Sequence, residues 1–442
     1  MTFFEKLNSI LEKYLLPIAD VLANQRHLKA MRDGFVYSIP LTIMGGLTLI
    51  VANPPVGKDV VATNAFLRFM VAWRDWASAN SDAILLPFKM TMGIMALFVA
   101  IGIAYSLARE YKMNTLSASI ISGATFLIVA APLQEGNLST TYLDAKGLFT
   151  AIIIGFLTVE ITRFLKLLKN ITIKMPEGVP PAVSPSFDAL IPLAINVLFF
   201  HFINLIVQSI SGMIIPQAIL TGLAPALETL DSPLPIFILS TLSQLLWFVG
   251  IHGASVTSAV RNPIALSNLG ANAEAYLAGQ PLPYIFTDTF WSYYIVLGGS
   301  GATLGLTLLY LRSKSKQLNG IGKVALLPAI FSINEPIIFG TPMVLNPVMF
   351  IPFVFVQGIN GVVAYYAIKW GLVRASFGTV PWTTPAPIGA FLSTLDWRAV
   401  VLVFALLVLD IILYYPFFKV YERQLIKEES GKEDIEAELK TN

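Results

Sequence analysis

Long apolar runs separated by short polar stretches make up most of this chain. Many of the runs approach the roughly 20 residues that an α-helix needs to cross the hydrocarbon core of a bilayer. Nine are clear, at 35–53, 88–108, 116–133, 148–165, 187–213, 234–260, 291–311, 343–369 and 399–418. The pattern therefore predicts an all-α integral membrane protein.

Composition supports this class. Of the 442 residues, 55% are apolar or aromatic and only 13% are charged, which is about half the charged fraction usual for a soluble domain. Mean hydropathy is +0.71. We accordingly expect a multi-pass protein whose main surroundings are the lipid bilayer, with no nucleic-acid partner, no cofactor and no metal site.

The distribution of Lys and Arg predicts the orientation in the membrane. Five segments are rich in them, at 1–34, 109–116, 163–185, 312–323 and 419–442, whereas 134–147 has one and 214–233 has none. Cytoplasmic loops carry the excess of positive charge, so both termini are predicted to be cytoplasmic. Two cytoplasmic termini require an even number of crossings, so we predict about ten, with the tenth within 263–290. The loop 53–87 is then external although it contains Lys and Arg, and it is an exception to the charge rule.

Changes in composition suggest six regions. They are an amphipathic cytoplasmic segment (1–34), membrane scaffold helices (35–169), a proline-rich cytoplasmic connector (170–186), a fifth crossing with an external connector (187–232), a substrate-binding transport domain (233–421) and a charged cytoplasmic tail (422–442).

Helices in the C-terminal half look interrupted. His252 lies between two glycines at 247–255, and the apolar stretch 327–336 is too short to span and contains two prolines. Unwound backbone is tolerated at membrane depth only where protein or a water-filled cavity covers it, and transporters use such segments to build substrate sites. We expect re-entrant or broken segments here, with the substrate site between them.

Glu335 is the first candidate for function. It is a carboxylate in an apolar stretch, and desolvating its charge must be offset by a ligand, a partner or a proton. The plainer alternative is a buried acid that stays protonated or pairs with Arg261. His252 is either a substrate contact or a neutral histidine bonded to a helix carbonyl.

Three further residues complete the predicted substrate-binding set. Asn334 precedes Glu335, Asn262 follows His252 by one helical stretch, and Trp382 could stack on a sugar ring or anchor the chain at the membrane interface. The glycine-rich run 298–305 has no preceding strand and no lysine in Walker spacing, so it predicts close helix packing rather than a phosphate loop.

Two motifs and the layout carry a family resemblance. The Gly250-Ile251-His252-Gly253 segment, the Asn334-Glu335-Pro336 segment and the proline-rich connector resemble the membrane-spanning IIC component of a bacterial phosphotransferase system, in particular the lactose, cellobiose and diacetylchitobiose group. The resemblance covers residues 1–425. It implies residence in the bacterial cytoplasmic membrane as a homodimer joined through the first half.

The resemblance also implies group translocation. A β-linked disaccharide would bind from outside, move inward and be phosphorylated on its 6-hydroxyl by a IIB protein, whose phosphate carrier in this family is a cysteine. This chain has no cysteine, so IIB is expected to be a separate protein. His252 and Glu335 would bond the sugar, and Glu335 would orient the hydroxyl or act as general base.

Other function classes remain as alternatives. A proton-coupled sugar porter would use Glu335 as the proton carrier, although no carboxylate series runs across several helices. A membrane-embedded glycosidase would need a second carboxylate near Glu335, whereas Asp231 and Asp288 are predicted to lie in loops. A channel is the weakest alternative, because no ring of like charges is visible.

Overall fold

The computed structural model describes residues 25–54, 62–168 and 184–441, together with positions 21, 56 and 60. The predicted amphipathic N-terminal helix and nearly all of the proline-rich connector lie outside these residues. The described residues are mostly helical, with a single short hairpin of strands β1 and β2 among them, pairing Leu133 with Leu138.

The first eight helices and the two strands follow one another from residue 26 to residue 230. They are α1 (Arg26–Ala52), α2 (Ala65–Ala79), α3 (Ser81–Lys89), α4 (Met95–Glu110), α5 (Thr115–Ala130), β1 (Leu133–Gln134), β2 (Asn137–Leu138), α6 (Leu148–Leu167), α7 (Ser184–Ser211) and α8 (Ile215–Leu230).

The remaining helices include several short ones. They are α9 (Pro233–Phe248), α10 (Gly253–Leu277), α11 (Asp288–Phe290, continued by a π-turn over Trp291–Ile295), α12 (Leu304–Leu311), α13 (Lys316–Ile330), α14 (Glu335–Gly340), α15 (Phe350–Lys369), α16 (Ala386–Thr394) and α17 (Arg398–Thr441).

The chain divides into two compact units. The N-terminal unit contains the described residues of Leu22–Thr229 and Ser258–Tyr284, and the C-terminal unit those of Met1–Val21, Leu230–Thr257 and Ile285–Asn442. These limits differ from the predicted regions, because 258–284 falls in the N-terminal unit rather than with the predicted transport domain. Helix α10 begins in one unit and ends in the other.

Apolar side chains from α1, α4, α5, α6 and α10 form the core of the N-terminal unit. Its fully buried members include Phe35, Val99, Phe126 and Leu269. Helices α1 and α4 approach closely, since a Cβ on Gly34 would lie 2.4 Å from Ile103 Cγ1. Glycine at this position therefore permits contact that a larger residue would prevent.

The C-terminal unit packs α9 along α15 in the same way. A Cβ on Gly358 would lie 2.8 Å from Phe237 Cδ2, and one on Gly361 would lie 2.7 Å from Ile236 Cγ2. The larger side chains of α9 thus pack against small residues of α15.

Six helical stretches among the described residues are long and apolar enough to cross a membrane. They are Arg26–Ala52, Met92–Glu110, Ala145–Leu167, Asp188–Ser211, Phe350–Lys369 and Arg398–Ser430, with Thr115–Ala130 and Pro233–Phe248 as shorter apolar helices. The prediction of a helical, multi-pass membrane protein is confirmed. The count of ten crossings stays a prediction.

The stretch 291–311, which we predicted as one span, is not a continuous helix. A π-turn occupies Trp291–Ile295, a non-helical turn follows, and α12 begins only at Leu304. Gly298, Gly299 and Gly301 have positive φ angles of 75°, 102° and 82°. The prediction of close helix packing by these glycines was therefore wrong about their conformation, because left-handed backbone interrupts a helix.

The predicted charged tail begins inside α17 and is partly structural. Glu422 accepts hydrogen bonds from Ser313 Oγ and the Lys314 backbone N–H, at 2.7 and 2.8 Å. Glu429 accepts from Ser315 Oγ at 2.7 Å. The α17 carboxylates thus hold the turn between α12 and α13.

Candidate functional site

His252 lies in the break between α9 and α10. Gly250 supplies the left-handed turn of this break, with φ of 85°. A Cβ on Gly253 would lie only 1.8 Å from the Ser243 carbonyl oxygen, so no other residue fits where α10 begins. Glycines therefore flank His252 because the backbone requires them on both sides.

The His252 ring caps α10. Its Nδ1 accepts a hydrogen bond from the Ser255 backbone N–H at 3.1 Å and lies 2.8 Å from Ser255 Oγ. The ring centroid is 4.5 Å from that of Trp247. Since Nδ1 accepts, the hydrogen of the neutral ring is assigned to Nε2, which makes Nε2 the atom able to donate to a ligand.

Asn334 and Glu335 lie where the second break meets α14. The chain leaves α13 after Ile330 and starts α14 at Glu335. Asn334 is buried, whereas the Glu335 side chain is exposed in the first turn of α14. The alternative of a buried acid therefore does not describe Glu335 in this structure.

The segment around the first break contacts the stretch that follows α14, inside the C-terminal unit. The Leu345 backbone N–H, a few residues beyond α14, donates to the Phe248 carbonyl oxygen at 2.9 Å. Val344 Cγ1 would lie 3.6 Å from a Cβ on Gly250. The end of α9 and Gly250 thus contact the stretch beyond α14, and a substrate site between the two breaks stays a prediction.

Trp382 belongs to the same unit. Its side chain is 52% exposed, and the turn that carries it is held by Tyr293, whose hydroxyl donates to the carbonyl oxygens of Val380 and Pro381 at 3.0 Å each. An exposed indole on an anchored turn is suited to stacking on a ligand ring.

Asn262 stands apart from the other four candidates, because it belongs to the N-terminal unit. Its Oδ1 accepts hydrogen bonds from Arg261 Nε at 3.2 Å and from Arg261 Nη2 at 2.9 Å. The structure therefore places His252, Asn334, Glu335 and Trp382 in one unit and Asn262 in the other. Sugar binding by any of the five residues stays a prediction.

Sequence reasoning missed a buried carboxylate on α17. Asp410 is fully buried and accepts a hydrogen bond from Asn360 Nδ2 at 2.8 Å through Oδ1. Its Oδ2 has no hydrogen-bond partner among the described residues. A sequence signal for this residue was present, because Asp410 is an acidic residue inside the apolar run 399–418.

Two other buried side chains were missed because no sequence signal marks them. Gln357 Oε1 accepts from the Gly301 backbone N–H at 3.3 Å, and the Tyr414 hydroxyl donates to the Gly301 carbonyl oxygen at 2.7 Å. Both contact the glycine-rich turn over 298–303, on which Asn334 also rests.

A family model and several relatives match this chain. The model described as "Phosphotransferase system, EIIC" matches residues 32–356. The lichenan permease IIC component of Bacillus subtilis is 37% identical, covering 99% of this chain and 98% of the relative. The cellobiose-specific EIIC component of Geobacillus stearothermophilus is also 37% identical, covering 96% of each chain.

A solved structure and a longer relative agree with this assignment. The crystal structure of the transporter ChbC, the IIC component from the N,N'-diacetylchitobiose-specific phosphotransferase system, has a TM-score of 0.86 and 36% identity, with 96% of this chain and 99% of that chain covered. The lactose-specific EIICB component of Streptococcus mutans is 34% identical, with 95% of this chain and 74% of the relative covered.

The proton-coupled porter is not favoured by these matches, since the relatives are components of phosphotransferase systems. EIIC components act with sugar substrates and a IIB component. The chain belongs to the EIIC family of the phosphotransferase system and is a membrane-embedded, sugar-translocating IIC subunit.

Proposed function

We propose that this subunit binds a β-linked disaccharide of the cellobiose or diacetylchitobiose type and presents its 6-hydroxyl to a separate phospho-IIB protein. The observation that supports the proposal is that His252 and Glu335, each beside a break between helices, belong to one compact unit. In that unit the end of α9 contacts the stretch beyond α14, through Phe248 O and Leu345 N. The names of the cellobiose and diacetylchitobiose relatives support the sugar class.

Glu335 is the group proposed to act on the reacting hydroxyl. An ionised carboxylate accepting from the 6-hydroxyl makes a charge-assisted hydrogen bond and orients the oxygen for attack on phosphorus. It can also take the proton as the phosphoryl group arrives. Because phosphoryl transfer has a loose transition state in most analyses, we expect positioning to contribute more than base catalysis.

His252 and Trp382 are proposed to hold the sugar. Nδ1 accepts the hydrogen bond that caps α10, and we propose that Nε2 donates to a hydroxyl or ring oxygen of the sugar. The exposed indole of Trp382 provides a flat apolar face for a pyranose ring. We retain Asn262 as a proposed substrate contact.

Three larger features belong to the same proposal. They are ten membrane crossings with both termini in the cytoplasm, residence in the bacterial cytoplasmic membrane, and a homodimer joined through the first half of the chain. The family resemblance and the positive charge of the segments assigned to the cytoplasm support them.

Equilibrium binding of a disaccharide panel to the purified chain tests the sugar class. Cellobiose and diacetylchitobiose should bind, and α-linked maltose is the matched control that should not. If only α-linked sugars bind, the assigned class is wrong.

Reconstituted vesicles test the transport mode. The chain contains no cysteine and cannot itself carry the phosphocysteine of a IIB protein. Vesicles holding the chain alone should therefore bind and slowly exchange sugar without forming sugar phosphate. Product should appear only when cognate IIB and a phosphate donor are added; accumulation of free sugar driven by a proton gradient would restore the porter.

A further inference from the structure

The glycine-rich run forms a tight left-handed turn, here called the glycine turn (residues 298–303). Three of its glycines have positive φ, as does Ala302 at 54°. The hydroxyl of Thr303 closes the turn by donating to the Gly298 carbonyl oxygen at 3.0 Å. The turn is therefore a defined structure that only small residues can form.

Asn334 is fastened to the glycine turn. Its Nδ2 donates to the Ser300 carbonyl oxygen at 2.5 Å and to Thr303 Oγ1 at 3.0 Å. A Cβ on Gly299 would lie 2.3 Å from Asn334 Cγ, so Gly299 leaves the space that the amide occupies. An amide nitrogen has two hydrogens, and both are used here.

The backbone of Asn334 starts α14. Its carbonyl oxygen accepts hydrogen bonds from the backbone N–H groups of Ile337 and Ile338, each at 3.0 Å. Glu335 is the next residue and the first of α14. The backbone from which the Glu335 side chain extends is thus tied to the position of Asn334.

The other side of the glycine turn is held by two helices. Gln357 on α15 accepts from the Gly301 N–H, and Tyr414 on α17 donates to the Gly301 carbonyl. These side chains are 1% and 0% exposed, and a Cβ on Gly301 would lie 2.5 Å from Phe353 Cδ2. Both polar groups of Gly301 are therefore fixed by buried partners.

We propose that Gln357 and Tyr414 fix the start of α14, from which the Glu335 carboxylate extends, by way of the glycine turn and Asn334. Gln357, Tyr414 and Asn334 are then positioning residues for phosphoryl transfer. The inference rests on the role proposed for Glu335 above. It gives Asn334 a different task from the direct sugar contact that its sequence suggested. Both amide hydrogens of Asn334 are used in these contacts, so a ligand could use this side chain only as an acceptor, through Oδ1.

The test compares single substitutions that remove one hydrogen bond each. Tyr414→Phe removes the donor to Gly301, and Gln357→Met removes the acceptor with nearly unchanged volume. Misplacing a catalytic group by about 1 Å costs up to about 100-fold in rate. We expect IIB-dependent phosphorylation at saturating sugar to fall about tenfold or more in each variant, with sugar affinity changed by less than about threefold.

Tyr365→Phe is the matched control. Its hydroxyl also donates to a backbone carbonyl in the C-terminal unit, that of Asp231 at 2.9 Å, and has no bond to the glycine turn. This variant should keep the wild-type phosphorylation rate. A loss equal to that of Tyr414→Phe would show a general effect of removing a buried hydroxyl and would overturn the inference.

A double-mutant cycle with Glu335→Gln separates positioning from general structural support. If Tyr414, Gln357 and Asn334 act through Glu335, then Tyr414→Phe, Gln357→Met and Asn334→Leu should each change the rate by less than about twofold in the Glu335→Gln background. Equal losses in both backgrounds would overturn the inference and leave the role of Glu335 intact. A wild-type rate for Glu335→Gln alone would instead overturn the role of Glu335, and the inference with it.

Discussion

At the scale of single residues, His252 has two tasks that an alanine substitution removes together. Its Nδ1 caps α10 through Ser255, and its Nε2 is the proposed donor to the sugar. An N-cap is worth about 1 kcal/mol of stability, so a loss of binding in His252→Ala has two explanations. A variant that keeps the cap is needed to separate them.

His252→Asn provides that variant. Asparagine is a good N-cap, yet it lacks the Nε2 donor. We expect both His252→Ala and His252→Asn to weaken disaccharide binding by roughly tenfold, because the bound sugar would lose the hydrogen bond proposed for Nε2, at a cost of about 1–3 kcal/mol. Isothermal titration with the purified variants measures this, and wild-type affinity in His252→Asn would return His252 to a purely structural role.

Some of the candidate residues could be predicted from the sequence and others could not. Glu335 was found because it is a carboxylate in an apolar stretch, and Asp410 has the same signature within 399–418. No sequence signal marks Gln357 or Tyr414, because their proposed role comes from hydrogen bonds to Gly301, which lies more than fifty positions earlier in the chain. Contacts of that kind depend on tertiary structure, which composition and spacing do not encode.

At the scale of elements, the start of α6 and the end of α10 meet in a cluster of charges. Lys146 Nζ lies 2.5 Å from Glu274 Oε2 and 3.5 Å from Asp144 Oδ2. Burial of Asp144, followed by its hydrogen bond and charge repulsion with Glu274, raises the pKa of Asp144 from 3.8 to about 8. Two carboxyl groups thus share one lysine in a partly buried setting.

This cluster predicts a pH dependence of stability. Between pH 4 and 8 the folded protein keeps a proton on Asp144 that the unfolded chain releases, so the free energy of unfolding falls as the pH rises through the raised pKa. We expect a lower melting temperature at pH 9 than at pH 6. Scans of the purified protein in detergent across this range measure it.

Asp144→Asn and Asp82→Asn form a matched pair for that measurement. Asp144→Asn removes the titrating group and should flatten the decline in melting temperature, whereas Asp82→Asn alters an exposed carboxylate paired with Lys89 and should leave it unchanged. A decline that persists in Asp144→Asn would assign the pH dependence to another group.

Among the elements, the positions of the helices could be predicted from the apolar runs, and both breaks could be predicted from glycine and proline. Those signals are local, since glycine and proline act on their own backbone. The interruption within 291–311 was not predicted, because its glycines were also compatible with close helix packing. Their left-handed conformation is supported by Gln357 and Tyr414, which lie far along the chain.

At the scale of the whole molecule, the absence of cysteine makes the topology directly measurable. Each introduced cysteine is the only thiol in the 442-residue sequence. We predict that Gln134→Cys, in the exposed β1–β2 hairpin, reacts with a membrane-impermeant maleimide on intact cells. Lys427→Cys, exposed on α17, should react only after permeabilisation, and the reverse pattern would invert the proposed orientation.

The charge of Glu335 tests the central claim most directly. Gln keeps the volume and one acceptor, so Glu335→Gln should retain part of the sugar affinity, whereas Glu335→Ala should lose most of it. If the carboxylate orients the 6-hydroxyl for transfer, both variants should impair phosphorylation more than binding. The measurement is the IIB-dependent rate of sugar phosphate formation by Glu335→Gln at saturating disaccharide. We predict a fall of about 100-fold or more; a wild-type rate would remove Glu335 from the chemistry and contradict this account.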